Sequence, residues 1–91
     1  MGDSMILPIG TIVKLLESDK NVMITGYLQQ NKATKYTYDY CGCEYPMGIT
    51  GKDGNLYFDK ADITAIVKMG YMDEETKKIQ EKIKEYMGTK K

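Results

Sequence analysis

Residues 35–43, KYTYDYCGC, constrain the fold most, because their side chains alternate in character with a period of two. In an extended chain Tyr36, Tyr38 and Tyr40 share one face, while Asp39 lies on the other. This alternation is typical of a β-strand whose two faces meet different surroundings. The sequence therefore predicts a β-strand here, the clearest strand in the chain.

Two earlier segments also predict strands. Residues 11–16 and 21–30 are rich in β-branched and large apolar side chains, and polar residues separate them. Apolar groups lie on both sides of the second segment, which is typical of a central or strongly curved strand. Its interior Gly26 predicts a bend or bulge.

The following part of the chain predicts a second hairpin and a fifth strand. Asp53-Gly54 stands between two apolar runs, which is a signal for a tight hairpin turn. Residues 62–71 fit either a helical or an extended period. We favour a short turn at 59–62 that leads into a strand.

From Met72 onward, apolar residues recur at steps of three and four, as on one side of an amphipathic helix. Asp73 can cap this helix, and Gly88 can end it in a left-handed turn. The stripe comprises Met72, Thr76, Ile79, Ile83, Tyr86 and Met87. The predicted fold is α+β: a small curled antiparallel sheet of about five strands, an SH3-like partly open barrel, with a C-terminal amphipathic helix.

The length of 91 residues predicts a single small domain. We interpret MGDS, residues 1–4, as a cloning remnant and residues 5–91 as the domain, with a β-rich body at 5–71 and a helix at 72–88. No apolar run approaches the roughly 20 residues that span a bilayer, and no secretory signal precedes the domain. These features predict a cytoplasmic protein without membrane insertion.

The net charge and the absence of certain residue types limit the functions that the sequence predicts. All 13 cationic residues are lysines, and they balance 13 acidic residues, so the formal net charge is zero. A neutral chain without arginine lacks the usual means of attracting and gripping nucleic acid. Histidine is absent too, and no nucleophile is paired with a base, so we expect neither enzymatic activity nor a cofactor.

Cys41 and Cys43 are the only cysteines. A structural zinc site needs four ligands, usually cysteine and histidine, and a relaxed disulfide between residues two apart on a strand is disfavoured by its geometry. We therefore interpret both as small reduced side chains and predict no metal.

The tyrosines are the best candidates for binding. Tyr36, Tyr38 and Tyr40 could stack bases, form an aromatic cage or contact another protein, or they could pack inside the sheet. We expect a mixture of core and exposed positions and favour a protein partner. The predicted partner-binding residues are Tyr36, Tyr38, Tyr40, Tyr45, Tyr71, Ile79 and Ile83.

The helix stripe is narrow, so two arrangements stay open. The helix can dock on its own sheet, or it can pair with a helix of a partner, which could be a second copy in a homodimer.

Four segments resemble one known family: LPIGTIV (7–13), MITGYLQ (23–29), YDYCGCEYPMG (38–48) and YFDKADITAIVKMGYMDEE (57–75). They are similar to domain-of-unknown-function family 4176, short bacterial proteins encoded in Gram-positive type VII secretion loci beside WXG-type proteins and LXG toxins. The positions that match its motifs are Tyr38, Asp39, Tyr40, Tyr45, Pro46, Gly48, Gly70 and Tyr71.

The resemblance implies a cytosolic accessory of secretion, a chaperone or adaptor that binds a toxin or its helical targeting partner before export. It implies no catalytic residue. Two alternatives stay open: an immunity protein, and a small-barrel regulator that binds single-stranded nucleic acid through Tyr36, Tyr38 and Tyr40.

Overall fold

The computed structural model describes residues 6–50 and 54–89, with side chains up to Met87, so our interpretation of MGDS lies outside it. It contains a five-stranded sheet, a 3₁₀ turn and one helix. The elements are β1 (Ile12–Leu15), β2 (Asn21–Gln30), β3 (Thr37–Tyr45), β4 (Leu56–Phe58), the 3₁₀ turn (Lys60–Asp62), β5 (Ile63–Lys68) and α1 (Glu74–Thr89).

The strands form an antiparallel sheet in the order β4-β3-β2-β1-β5. Within the described residues the sheet is open, with β4 and β5 as its two edges. The predicted α+β class, the antiparallel sheet and the C-terminal helix are confirmed. The SH3-like label stays a prediction.

The bulge expected at Gly26 is present. Ile24 is opposite Gly42 and Gly26 is opposite Cys41, so Thr25 is the extra residue of β2. The bulge lies in the longest strand pair of the sheet, where it changes the direction of β2 beside the core.

The hairpin predicted around Asp53-Gly54 is wrong in its first strand. Ile49 and Thr50 are not extended into a strand, and Asp53 lies outside the described residues. Instead β4 pairs with β3, placing Phe58 opposite Tyr40 with ring centroids 5.8 Å apart. Aromatic packing across the sheet therefore favours β3 as the partner of β4, and residues 49–50 offer a single large apolar side chain, Ile49, too little for a competing strand.

One face of the sheet carries the core, which the N-terminal segment and α1 cover. The buried cluster comprises Ile6, Leu7, Val13, Val22, Ile24, Tyr40, Phe58 and Ile83. The Tyr40 hydroxyl accepts a hydrogen bond from the Leu7 N–H at 3.1 Å, and the Tyr27 hydroxyl donates to the Leu7 carbonyl at 2.9 Å. Burial raises the pKa of the Tyr40 hydroxyl, although its bond with Leu7 acts in the opposite direction.

The helix begins after Asp73, whose side chain accepts hydrogen bonds from the Thr76 N–H at 2.9 Å and the Thr76 hydroxyl at 2.8 Å. The predicted N-cap is thus confirmed. The predicted end at Gly88 is wrong, because the helix continues through Thr89.

The helix docks on its own domain, and its inner face differs from the predicted stripe. Ile83 is buried and Met87 packs against the same cluster, while the Gln80 side-chain amide donates to the Ile6 carbonyl. Ile79 and Tyr86, which we assigned to the stripe, are 48% and 67% exposed. The inner face of the helix is therefore formed by Gln80, Ile83 and Met87.

Candidate protein-binding site

Three tyrosine rings form a contiguous surface where β3 begins beside the edge strand β4. Tyr36 and Tyr38 pack edge to face with centroids 4.8 Å apart, and Tyr38 stacks on Tyr57 at 6.0 Å. Tyr36 and Tyr57 are 46% and 47% exposed. We call Tyr36, Tyr38 and Tyr57 the aromatic cluster.

Asp59, just after β4, fixes the aromatic cluster. Its carboxylate accepts hydrogen bonds from the Tyr36 hydroxyl and from the Asp39 N–H, the latter at 2.9 Å. The Asp39 carboxylate in turn accepts from the Lys60 N–H at 2.9 Å. These bonds connect β3 to the 3₁₀ turn, so the Tyr36 ring is held by both its packing and its hydroxyl.

A shallow groove of about 260 Å³ lies beside the first turn of α1. Its apolar lining is formed by Ile9, Tyr27, Tyr71 and Ile79, and its polar lining includes Asp73, Glu75 and Thr76. Tyr71 is 80% exposed. The groove thus brings together Tyr71 and Ile79, two residues predicted from the sequence to bind a partner.

The position of Tyr71 depends on a close backbone approach. Gly70 donates its N–H to the Thr11 hydroxyl at 3.0 Å, and an added Cβ at Gly70 would lie 2.4 Å from the Ile9 carbonyl oxygen. Only glycine permits this approach. The Gly-Tyr motif therefore has a structural reason: the glycine sets the crossing that presents the tyrosine beside Ile9.

The cap at Asp73 predicts a pH effect. Hydrogen bonds from the Thr76 N–H and hydroxyl lower the pKa of this carboxyl below its ordinary value of 3.8. A lowered pKa in the folded state stabilises the fold above the unfolded pKa, and this stabilisation is lost as the pH falls through the folded pKa. We expect the excess stability of the wild type over Asp73→Asn, which keeps a capping oxygen without titrating, to shrink below about pH 4.

Thermal unfolding of both proteins between about pH 7 and pH 2 measures this effect, because every other titrating group is common to the pair. A difference in Tm that stays constant through the acid range would contradict the assignment.

The other predicted partner-binding residues lie elsewhere. Tyr40 is fully buried and Ile83 is 7% exposed, so both belong to the core and present no surface in this structure. Tyr45 is 48% exposed at the far end of β3, seven residues from Tyr38, which corresponds to roughly 23 Å along the strand. The three tyrosines of the alternating strand are therefore divided between core and surface, as the mixed interpretation expects.

Burial of Tyr40 removes the continuous stacking face on which the nucleic-acid alternative depended. Tyr36 is exposed and Tyr38 is partly buried, and the aromatic neighbour of Tyr38 beyond β3 is Tyr57 from β4. Sequence reasoning missed Tyr57 and Ile9. The available signal for Tyr57 was its alternation with Phe58 in LYF, which places one ring in the core and the other outside.

The two cysteines are free thiols, with Cys43 buried and Cys41 partly buried. Over residues 6–50 and 54–89, no three His, Cys, Asp or Glu side chains are grouped so that they could hold a metal ion. The Cys41 thiol lies 3.8 Å from the Thr25 hydroxyl, at the bulge of β2.

A protein-family model described as a domain of unknown function, DUF4176, matches residues 6–79. The matched region contains all five strands, the aromatic cluster and the residues that line the groove. No curated protein and no solved structure matches the chain. The described residues contain no helix with the length and apolar character needed to cross a membrane.

Proposed function

The chain belongs to the DUF4176 family of domains of unknown function, and we propose that it is a non-enzymatic, cytoplasmic protein-binding accessory of type VII secretion, a chaperone or adaptor for an LXG-type toxin. The secretion setting rests on the family resemblance. Protein binding rests on the aromatic cluster, which is the single observation that carries the proposal.

The aromatic cluster suits a protein partner for two physical reasons. Tyrosine presents a large ring with few rotatable bonds, so little conformational entropy is lost when it is covered, and its hydroxyl tolerates water before binding. The packing of Tyr36 on Tyr38 and the bond to Asp59 order the cluster before a partner arrives.

Charge supports a polypeptide partner over a polyanion. The formal net charge is zero, so no long-range field draws DNA or RNA to the cluster. The Asp59 carboxylate is bonded to the Tyr36 hydroxyl, which adds local repulsion against phosphates. The groove around Tyr71 offers a second contact, where an apolar side chain of the partner can enter.

The proposal predicts a stable complex when the tagged chain is co-expressed with the products of its neighbouring genes. Tyr57→Ser should weaken that complex roughly tenfold or more, as expected for a tyrosine at the centre of an interface. Tyr86→Ser is the control, because Tyr86 is 67% exposed, lies on α1 outside the cluster and is not among the predicted partner-binding residues. Titration calorimetry measures both affinities, and circular dichroism checks that both variants fold.

Two outcomes would contradict the proposal. The wild-type chain could bind none of the neighbouring products, or the two tyrosine variants could lose affinity equally. A toxin-protection assay then separates a chaperone from an immunity protein, because only an immunity protein must neutralise the toxin's activity.

A further inference from the structure

The outer strand β5 is exposed over nearly its whole length. Only Ile63 is partly buried, whereas Thr64, Ala65, Ile66, Val67 and Lys68 are all exposed. Ile66 and Val67 are 50% and 49% exposed. On its inner side β5 pairs with β1, and within the described residues no strand pairs with its outer side.

The composition of β5 is unusual for an unpaired edge. Natural proteins protect exposed edges with charged residues or proline, because unpaired N–H and C=O groups recruit another strand. From Ile63 to Val67 the strand has neither, and three of these five residues are β-branched and apolar, although its sixth residue, Lys68, is charged and its register with β1 shifts twice. An edge of this kind favours pairing with a second extended chain.

The sequence of β5 is complementary to itself in one antiparallel register. When two copies are aligned about a two-fold axis through Ala65, Asp62 of each copy lies opposite Lys68 of the other. Ile63 then lies opposite Val67, and Thr64 opposite Ile66. The register thus gives two opposite-charge pairs at its ends and pairs of β-branched residues between them, both of which stabilise antiparallel strands.

We propose that two copies of this chain associate through β5 in this register, forming one continuous sheet across a two-fold axis at Ala65. A two-fold interface uses the same surface on both subunits, and a strand that is complementary to itself fulfils this requirement.

The geometry of Asp62 is compatible with this pairing. Its carbonyl accepts a hydrogen bond from the Leu16 N–H at 2.9 Å, so the last residue of the 3₁₀ turn is joined to the residue that follows β1. One carboxylate oxygen accepts from the Asp59 N–H at 2.9 Å, and the other oxygen offers further acceptor sites to a lysine.

This inference goes beyond the proposed function. The aromatic cluster lies at β3 and β4, whereas the self-pairing edge is β5, at the other side of the sheet. A dimer joined through β5 therefore leaves both clusters accessible and carries two copies of the partner-binding site.

Sedimentation velocity of the purified chain alone tests the proposal. We expect a reversible monomer–dimer equilibrium when the protein concentration is raised to about 300 μM. High concentrations are needed because pairing of a single strand buries a small interface, which binds weakly. Lys68→Glu places a carboxylate opposite Asp62 of the other copy at each end of the paired strands. This like-charge repulsion should raise the dimer Kd at least about tenfold. Lys84→Glu, on the exposed side of α1, makes the same change in net charge and should leave the Kd within about twofold.

Disulfide trapping tests the register. Ala65→Cys places the two introduced thiols opposite each other, within reach of a disulfide, whereas in Ile66→Cys each thiol lies opposite Thr64 of the other copy. We expect rapid cross-linking for the first variant only, with the linked peptide identified by mass spectrometry.

A monomer over the whole concentration range, equal effects of the two glutamate variants, or equal cross-linking of the two cysteine variants would overturn the proposal. Because no partner is present, such a failure leaves the proposed function standing. Conversely, a chain that dimerises but binds no neighbouring gene product contradicts only the proposed function.

Discussion

Gly42→Ala is expected to lower the free energy of unfolding by roughly 3 kcal/mol, near the upper end of typical overpacking effects. A Cβ at Gly42 would lie 2.3 Å from the Met23 carbonyl oxygen and 3.1 Å from the Met23 carbonyl carbon. Both atoms are backbone, so they cannot rotate away. Relief requires separation of β2 and β3 where Gly42 is opposite Ile24 of the core.

Gly26→Ala is the matched control in the same strand pair. Its Cβ would meet the Cys41 sulfur at 2.8 Å, with no backbone atom among its close neighbours. A side-chain atom adjusts more readily, so we expect a loss of about 1 kcal/mol. Both substitutions reduce the entropy of the unfolded chain to the same extent, and that contribution cancels in the comparison.

Urea unfolding followed by circular dichroism measures the free energy of unfolding of both variants. In thermal unfolding, the expected difference between them corresponds to a separation of roughly 8 °C or more in Tm. Equal stability of the two alanine variants would show that the backbone contact at Gly42 costs no more to relieve than the side-chain contact at Gly26. The close approach would then not be a determinant of the fold.

The features predicted correctly from the sequence are those that neighbouring residues determine. The bounds of β2, the bulge at Gly26 and the cap at Asp73 depend on side-chain alternation, on a missing Cβ and on a bond to a residue three positions away. The turn at 59–62 also appears, as the 3₁₀ turn Lys60–Asp62.

The errors arise where a distant contact decides between local options. Asp53-Gly54 is a good hairpin signal, but β4 pairs with β3, where Phe58 stacks on Tyr40. On the helix, the apolar pattern placed Ile79 inward, whereas it is 48% exposed and the inner face includes Gln80, which is bonded to the Ile6 carbonyl. Neither Ile6 nor Tyr40 is near its counterpart in sequence, so periodicity alone does not indicate these contacts.

The candidate site shows the same division. Alternation along β3 correctly places Tyr36 and Tyr38 together, and their exposure depends on where the core begins. The third member of the aromatic cluster, Tyr57, comes from a strand of three residues, which is too short to establish a period. Its stacking on Tyr38 depends on the β3–β4 pairing, in which Phe58 packs on Tyr40. The hairpin signal at Asp53-Gly54 does not indicate this long-range contact.

The second large effect is expected on the helix. Ile83→Ala should lower the free energy of unfolding by about 2–4 kcal/mol, because it removes a side chain that is 7% exposed within the core cluster. Ile79→Ala, four residues earlier on the same helix and 48% exposed, should change it by about 0.5 kcal/mol or less. The two substitutions raise helix propensity equally, so their difference isolates the contribution of docking.

Hydrogen exchange distinguishes how the stability is lost. Ile83 and Met87 pack α1 against the core cluster, and Gln80 bonds it to Ile6 in the segment before β1. We therefore expect the amides of α1 to lose protection before those of β2 and β3 in Ile83→Ala, as a local opening of the helix. If instead Ile79→Ala were the more destabilising variant, or if the helix and sheet amides lost protection together, α1 would be held by contacts other than the inner face formed by Gln80, Ile83 and Met87.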